Sequence, residues 1–189
     1  MDREDLIRLV RKSQSVISII LFFMVFSFCW KVTNFEITEI QLSQWGRNGL
    51  VGWLWNSIVC VLGFSMFITS ILYIKNNNRI KWVYTSYFLF TFISLCLLGV
   101  GFFNINYPFI HSVCAWTYFF AYPLVIFLFT HLNRNVLQYK DWRNNLIISV
   151  SMIVIPLIFI YLFKGMAIAE TSHILFVIIW NLKIALKND

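Results

Sequence analysis

Residues 50–74 read LVGWLWNSIVCVLGFSMFITSILYI, a stretch without a single charged side chain. A transmembrane helix needs about 20 consecutive, mostly apolar residues, so this stretch alone is long enough to cross a bilayer. A basic turn, Lys75–Arg79, follows it directly, and the next apolar stretch begins at Trp82. The fold therefore depends on how often this pattern of apolar run and polar connection repeats.

The apolar run occurs six times, and the six runs use nearly all of the 189 residues. Hydrophobic residues make up 60% of the sequence and charged residues 12%, with a mean hydropathy of +0.76. Soluble domains contain about half apolar and a quarter charged residues. The sequence therefore predicts an all-α, polytopic membrane protein that forms a six-transmembrane-helix bundle. We expect a single transmembrane domain over 1–189, with spans at about 16–31, 50–74, 82–103, 111–131, 145–163 and 166–186 and an outer loop at 32–49.

Basic residues are concentrated on alternate connections between these spans. Twelve of the fifteen lysine and arginine residues fall in the N-terminal segment, the second and fourth connections and the C-terminal tail. Because positive charge marks cytoplasmic loops, we expect both termini in the cytoplasm. This role accounts for the net charge of +7, so we do not expect nucleic acid as a partner. The abundance of Ile, Phe, Asn and Lys is typical of an AT-rich genome, which favours a bacterial inner membrane.

Tryptophan and tyrosine residues occur near both ends of the predicted spans. On the predicted outer side these are Trp30, Trp45, Trp53, Tyr107 and Trp116, and on the inner side they are Trp82, Tyr139, Trp142 and Trp180. Membrane proteins place such side chains at the two membrane–water interfaces, so we expect these residues in an aromatic belt.

The outer loop is the longest connection in the chain. Its segment Glu36–Leu42 alternates partly between polar and apolar residues. That pattern is typical of a short strand or of an amphipathic turn lying on the membrane. Gly46 and Gly49 indicate a tight turn before the second span.

Ionisable side chains converge on the predicted outer side, namely Glu36, Glu39, His111, Glu170 and His173. Glu170 and His173 are three positions apart on one helical face, and Glu-x-x-His is a known pair of helical metal ligands. The same side chains can instead hold helix ends together by hydrogen bonds. We therefore expect either helix-end contacts or a pocket for a lipid headgroup or a metal ion. The metal candidates are Glu170, His173 and His111; no catalytic residue and no cofactor are assigned.

Two positions inside the spans need a partner. Asn56 lies in the second span, where an unpaired amide is costly, so we expect it to face another helix and support the packing of the bundle. Pro156 lies in the fifth span and removes one backbone donor. The carbonyl group that it frees needs a hydrogen bond from a neighbouring helix or side chain.

The order of motifs resembles that of the Frag–DRAM–Sfk group of six-span membrane proteins and of related bacterial families. The segment Ser43-Gln44-Trp45-Gly46 matches the group's Ser-x-x-Gly turn, and Asn56 and Gly63 match its Asn and Gly in the second span. The other matching residues are Gly101, Phe103, His111 and Glu170. Members of the group are linked to lipid remodelling, lipid asymmetry and autophagy. The resemblance implies a six-helix fold and a role that involves membrane lipids.

These features predict a non-enzymatic protein that binds a lipid or regulates a partner through an outer polar pocket. Two alternatives stay open: a metal-dependent lipid hydrolase or transferase that uses the same residues, and an oligomeric pore or accessory effector, for example in bacterial defence. The expected partners are membrane lipids, with a protein partner or a homo-oligomer also open. The spans carry no regular series of charged residues, which argues against an ion-coupled transporter or a voltage sensor.

Overall fold

A computed structural model describes residues 3–34, 36–47, 49–76, 81–135 and 137–186. Within these ranges the chain is all-α, as predicted, and contains no strand. Its α-helices are α1 (Arg3–Thr33), α2 (Gly49–Asn76), α3 (Lys81–Phe102), α4 (Pro108–Leu132), α5 (Tyr139–Leu162) and α6 (Ala167–Leu186). Each helix contains most of one predicted apolar run.

Among the described residues, four of the helices, α1, α2, α4 and α5, have the length and composition of membrane helices. In the part of the chain that the structure describes, four segments are long and apolar enough to cross a bilayer, namely Lys12–Thr33, Gly49–Ile71, Pro108–Leu132 and Tyr139–Leu162. A shorter apolar helical segment, Tyr87–Phe102, lies in α3. Large apolar side chains point away from the bundle; Phe88 is 70% exposed and Phe109 is 80% exposed. Since helices satisfy their own backbone hydrogen bonds in lipid, this is the fold of an integral membrane protein.

Helices that are neighbours in sequence pack against each other, and α6 returns to α1. Glycine lets α2 and α3 approach closely. A Cβ atom on Gly63 would lie only 2.8 Å from the backbone nitrogen of Leu98. One on Gly101 would lie 3.0 Å from the backbone nitrogen of Cys60. Small residues at such crossings are the usual means of bringing membrane helices into backbone contact.

Aromatic side chains fill two parts of the core. Phe90 from α3 stacks on Trp180 from α6, with ring centroids 4.7 Å apart. Trp45 meets Trp55 from α2 edge to face, with centroids 4.9 Å apart. Trp45 is 4% exposed and Trp180 is 2% exposed. The prediction of an aromatic belt is therefore wrong for these two residues, because each packs its large ring inside the protein, whereas Trp53, Tyr107 and Tyr139 are exposed.

The α1–α2 connection contains a turn and a short helix, and we call residues 36–47 the docked loop. The backbone N–H groups of Glu39 and Ile40 both donate to the carbonyl oxygen of Glu36, at 3.1 and 3.3 Å. A 3-10 helix follows at Leu42–Gly46. Of the two predicted alternatives, the structure has the turn and not the strand, because the N–H groups of Glu39 and Ile40 bond back to Glu36. We call the end of the bundle that carries this segment the loop end.

The docked loop also pairs with the connection between α5 and α6. The N–H of Gly165 donates to the carbonyl oxygen of Thr38 at 2.9 Å, and the N–H of Ala167 donates to that of Ile40 at 3.0 Å. Leu42, next in the loop, is only 2% exposed. The loop therefore packs into the loop end of the bundle.

Candidate functional site

Two side chains from the helices hold the 3-10 helix of the docked loop at its two ends. Glu170, in the first turn of α6, accepts the backbone N–H of Leu42 through Oε2 at 2.6 Å. Asn56, in α2, donates from Nδ2 to the carbonyl oxygen of Gly46 at 3.1 Å. Asn56 therefore has its partner in the docked loop and not in a neighbouring helix.

Two further hydrogen bonds join the docked loop to the ends of helices. The indole Nε1 of Trp45 donates to the hydroxyl oxygen of Thr33 at 2.9 Å. Nδ2 of Asn106, between α3 and α4, donates to the carbonyl oxygen of Arg47 at 3.1 Å. A typical intramolecular hydrogen bond contributes about 0.5–1.5 kcal/mol net, so contacts from several sides fix the loop more firmly than any one of them.

His111 lies in the first turn of α4 and is buried at the loop end. Its Nδ1 is 2.8 Å from the carbonyl oxygen of Phe103. A carbonyl oxygen only accepts hydrogen bonds, so Nδ1 carries the hydrogen and donates it. In the neutral imidazole, Nε2 is then an acceptor.

Glu170 and His111 line the same two cavities at the loop end. The first cavity has a volume of about 250 Å³, and its other polar side chains are Gln41, Ser43 and Ser112. The second cavity has a volume of about 90 Å³ and shares Ser43, His111 and Glu170 with the first. These three residues therefore form the polar wall that is common to both cavities.

A third cavity, of about 70 Å³, continues into the bundle. Five side chains line both this cavity and the second one, and they come from four helices: Trp55, Val59, Leu97, Tyr118 and Ile174. Most of this shared lining is apolar. The three cavities thus form a series that begins at polar groups near the docked loop and ends inside the bundle at a mostly apolar lining, which also includes Ser15, Ser18, Thr69 and Asn181.

His173 lies apart from Glu170 and His111. Its side chain is fully buried and stacks on Phe119, with ring centroids 4.1 Å apart. Its Nδ1 is 3.3 Å from the carbonyl oxygen of Met152 in α5. Phe119 lines both of the first two cavities, whereas His173 lines neither. The ring of Phe119 therefore lies between the imidazole of His173 and the cavities.

The structure brings together two of the five predicted site residues. Glu36 and Glu39 are exposed on the docked loop and line none of the three cavities. Within the described ranges, no group of three His, Cys, Asp or Glu side chains lies close enough to hold a metal ion. The predicted metal candidates Glu170, His111 and His173 therefore do not share a metal site in this part of the chain.

Several residues of the site were not singled out from the sequence. Ala115 and Phe119 line the first two cavities together with His111. These three residues follow one another at intervals of four, which places them on one face of α4. That periodicity, counted from His111, is the signal that identifies this wall.

The fold and the site define a helical integral membrane protein with a polar wall beside an apolar interior. The chain belongs to the family described as "Protein of unknown function (DUF998)", whose model matches residues 16–187. No curated protein and no solved structure matches the chain significantly.

Proposed function

We propose that this protein binds a membrane lipid or another amphiphile at the loop end, without catalysing a reaction. The single observation that supports this proposal is the series of cavities. Ser43, His111 and Glu170 provide polar groups at one end, and the lining of the other end is mostly apolar, with Ser15, Ser18, Thr69 and Asn181 as its polar members. Ligand sites are usually concave and mostly apolar, with a few polar groups that fix the orientation of the ligand. An amphiphile has the same division into a polar and an apolar part.

The proposal includes six spans in a bacterial inner membrane, with both termini in the cytoplasm. The distribution of basic residues supports this orientation, because the sequence assigns only three of them to the loop end: Lys31 in the last turn of α1, and Arg47 and Lys164 on connections. Positive charge marks the cytoplasmic side. The loop end and its cavities then face outward.

The resemblance to the Frag–DRAM–Sfk group remains part of the proposal. Several of the matching residues meet around the 3-10 helix: Asn56 binds the carbonyl group of Gly46, and Glu170 binds the N–H of Leu42. A shared arrangement of this kind would explain why short motifs far apart in the sequence occur together. It supports a common fold more directly than a common ligand.

The metal-dependent alternative requires a further ligand beside Glu170 and His111. Catalytic zinc sites usually have three protein ligands, and no group of three candidate side chains occurs among the described residues. We therefore propose binding as the function. The predicted protein partner, homo-oligomer and pore stay predictions.

Photolabelling of the full-length protein in nanodiscs tests the proposal. The probes are four amphiphiles with the same single alkyl chain, which carries a diazirine, and with a hydroxyl, ammonium, carboxylate or phosphate headgroup. We expect saturable labelling of Val59, Leu97 and Ile174 by at least one probe, because these residues line the second and third cavities.

A larger side chain in the cavities should weaken this labelling. Ala115 lines the first two cavities, so Ala115→Phe, or Ala115→Leu if the larger variant does not fold, should reduce the labelling about tenfold, as a loss of about 1.4 kcal/mol in binding would. Val113→Phe is the matched control, because Val113 lies on the same helix and is 51% exposed. The proposal fails if no probe labels the interior, or if a folded Ala115 variant is labelled like the control.

A further inference from the structure

We propose that the site selects an amphiphile with a single apolar chain and a headgroup that donates hydrogen bonds and carries no negative charge. A hydroxyl or an ammonium group has this chemistry. The inference rests on the proposed function, because it names the class of ligand that the same cavities would take.

Glu170 and His111 offer hydrogen-bond acceptors to a headgroup, and the hydroxyl group of Ser43, the third residue of the polar wall, can accept or donate. Oε2 of Glu170 already accepts the N–H of Leu42, and Oε1 has no hydrogen bond to a described residue. Nδ1 of His111 is occupied by the carbonyl oxygen of Phe103, which leaves Nε2 of the neutral ring as an acceptor. A headgroup between these two residues therefore forms hydrogen bonds best when it is itself the donor.

No lysine or arginine among the described residues lines any of the three cavities. Arg47 instead lines an open groove with Gly46 and Trp53, which shares only Asn56 with the second cavity among their described lining residues. An anion in the cavities would lose its hydration without gaining a cationic partner, and it would lie beside the carboxyl group of Glu170. Burial of an unpaired charge is costly, so phosphate and carboxylate headgroups are excluded from this position.

The size and lining of the inner cavities suit one chain. The second and third cavities measure about 90 and 70 Å³. An engineered apolar cavity of about 150 Å³ holds one benzene molecule, so the two together have room for part of one aliphatic chain and not for two side by side. Trp55, Val59 and Leu97 line both cavities and would contact that chain.

The same four diazirine probes test the choice of headgroup. We expect the alcohol and the ammonium to label the interior residues at concentrations at which the carboxylate and the phosphate do not. Labelling by all four probes with equal efficiency, or better labelling by the two anions, would overturn the inference and leave the proposed function intact. Labelling by none of them would overturn both.

Glu170→Gln provides a second test. The amide oxygen of Gln can still accept the N–H of Leu42, while its NH₂ group places a donor where Oε1 was. We expect about tenfold weaker labelling by the ammonium probe, as the loss of one good hydrogen bond to a charged group would give, and stronger labelling by the carboxylate probe. Glu39→Gln is the control, because Glu39 is exposed and lines none of the cavities. Equal headgroup preferences in a folded Glu170→Gln variant and the control would contradict the inference.

Discussion

Gly165 determines how closely two connections approach each other at the loop end. Its N–H donates to the carbonyl oxygen of Thr38 at 2.9 Å. A Cβ atom at this position would overlap the backbone of Glu39 and Ile40. Backbone atoms cannot rotate away as the end of a long side chain can, so the chain itself would have to shift. The absence of a side chain here therefore lets the docked loop reach the start of α6.

The variant Gly165→Ala should destabilise the protein. Forcing an extra methyl group into a packed region typically costs about 1–3 kcal/mol, so we expect the free energy of unfolding to fall by about that amount. Equilibrium unfolding with a denaturing detergent measures it. Lys164→Ala is the matched control, since Lys164 is the exposed neighbour in the same connection. Equal stability of the two variants would show that the docked loop and Gly165 are not in contact.

At the scale of helices, α6 supplies a hydrogen bond that α5 lacks. Pro156 lies inside α5 and has no backbone N–H, so the carbonyl group of Met152, four residues earlier, loses its helical partner. Nδ1 of His173 lies 3.3 Å from that carbonyl oxygen. Because a carbonyl oxygen only accepts, the imidazole donates. This contact is the partner from a neighbouring helix that the sequence predicted for the carbonyl group freed by Pro156.

A double-mutant cycle tests this coupling between α5 and α6. His173→Phe keeps an aromatic ring beside Phe119 but removes the donor. It should lower the free energy of unfolding by about 1–3 kcal/mol, the range for a buried acceptor left without a hydrogen bond. Pro156→Ala restores an N–H that can bond to Met152 within the helix. In the Pro156→Ala background we expect His173→Phe to lower the free energy of unfolding by at least about 0.5 kcal/mol less than it does in the original protein. That difference is roughly the smallest coupling energy found between residues in contact. Detergent unfolding of the four proteins gives the coupling; additive effects would rule out a shared carbonyl partner.

The helices could be predicted because a long apolar run is a local property of the sequence. The position of the docked loop could not be predicted, because the hydrogen bond that fixes Leu42 of the loop comes from Glu170, 128 positions away in the sequence. His173 does not line the cavities with Glu170, and the reason is geometric. A spacing of three residues leaves two side chains about 60° apart around a helix, and at this position that angle takes His173 to the far side of Phe119. His111 and Glu170 do line common cavities, as residues at the same end of two neighbouring helices can.

On the scale of the whole molecule, the two ends of the bundle differ in their polar groups. The loop end has backbone and amide contacts such as that of Asn56 with Gly46. Near the opposite end, Lys183 forms an ion pair with Asp141 at 3.1 Å and donates a hydrogen bond to Asn145 at 2.8 Å. Most of the lysine and arginine residues in the described part of the chain also belong to that end. This difference in charge is what a membrane-inserted protein uses to fix its orientation.

Labelling of single cysteines in intact cells tests the orientation. Glu36 is exposed at the loop end and Asn135 is exposed between α4 and α5, at the opposite end. We expect Glu36→Cys to react with a membrane-impermeant maleimide in intact cells and Asn135→Cys to react only after permeabilisation, because the basic end should face the cytoplasm. The unsubstituted protein gives the background from Cys29, Cys60, Cys96 and Cys114, which are free. The reverse pattern would place the cavities on the cytoplasmic side and would require their ligand to come from the inner leaflet.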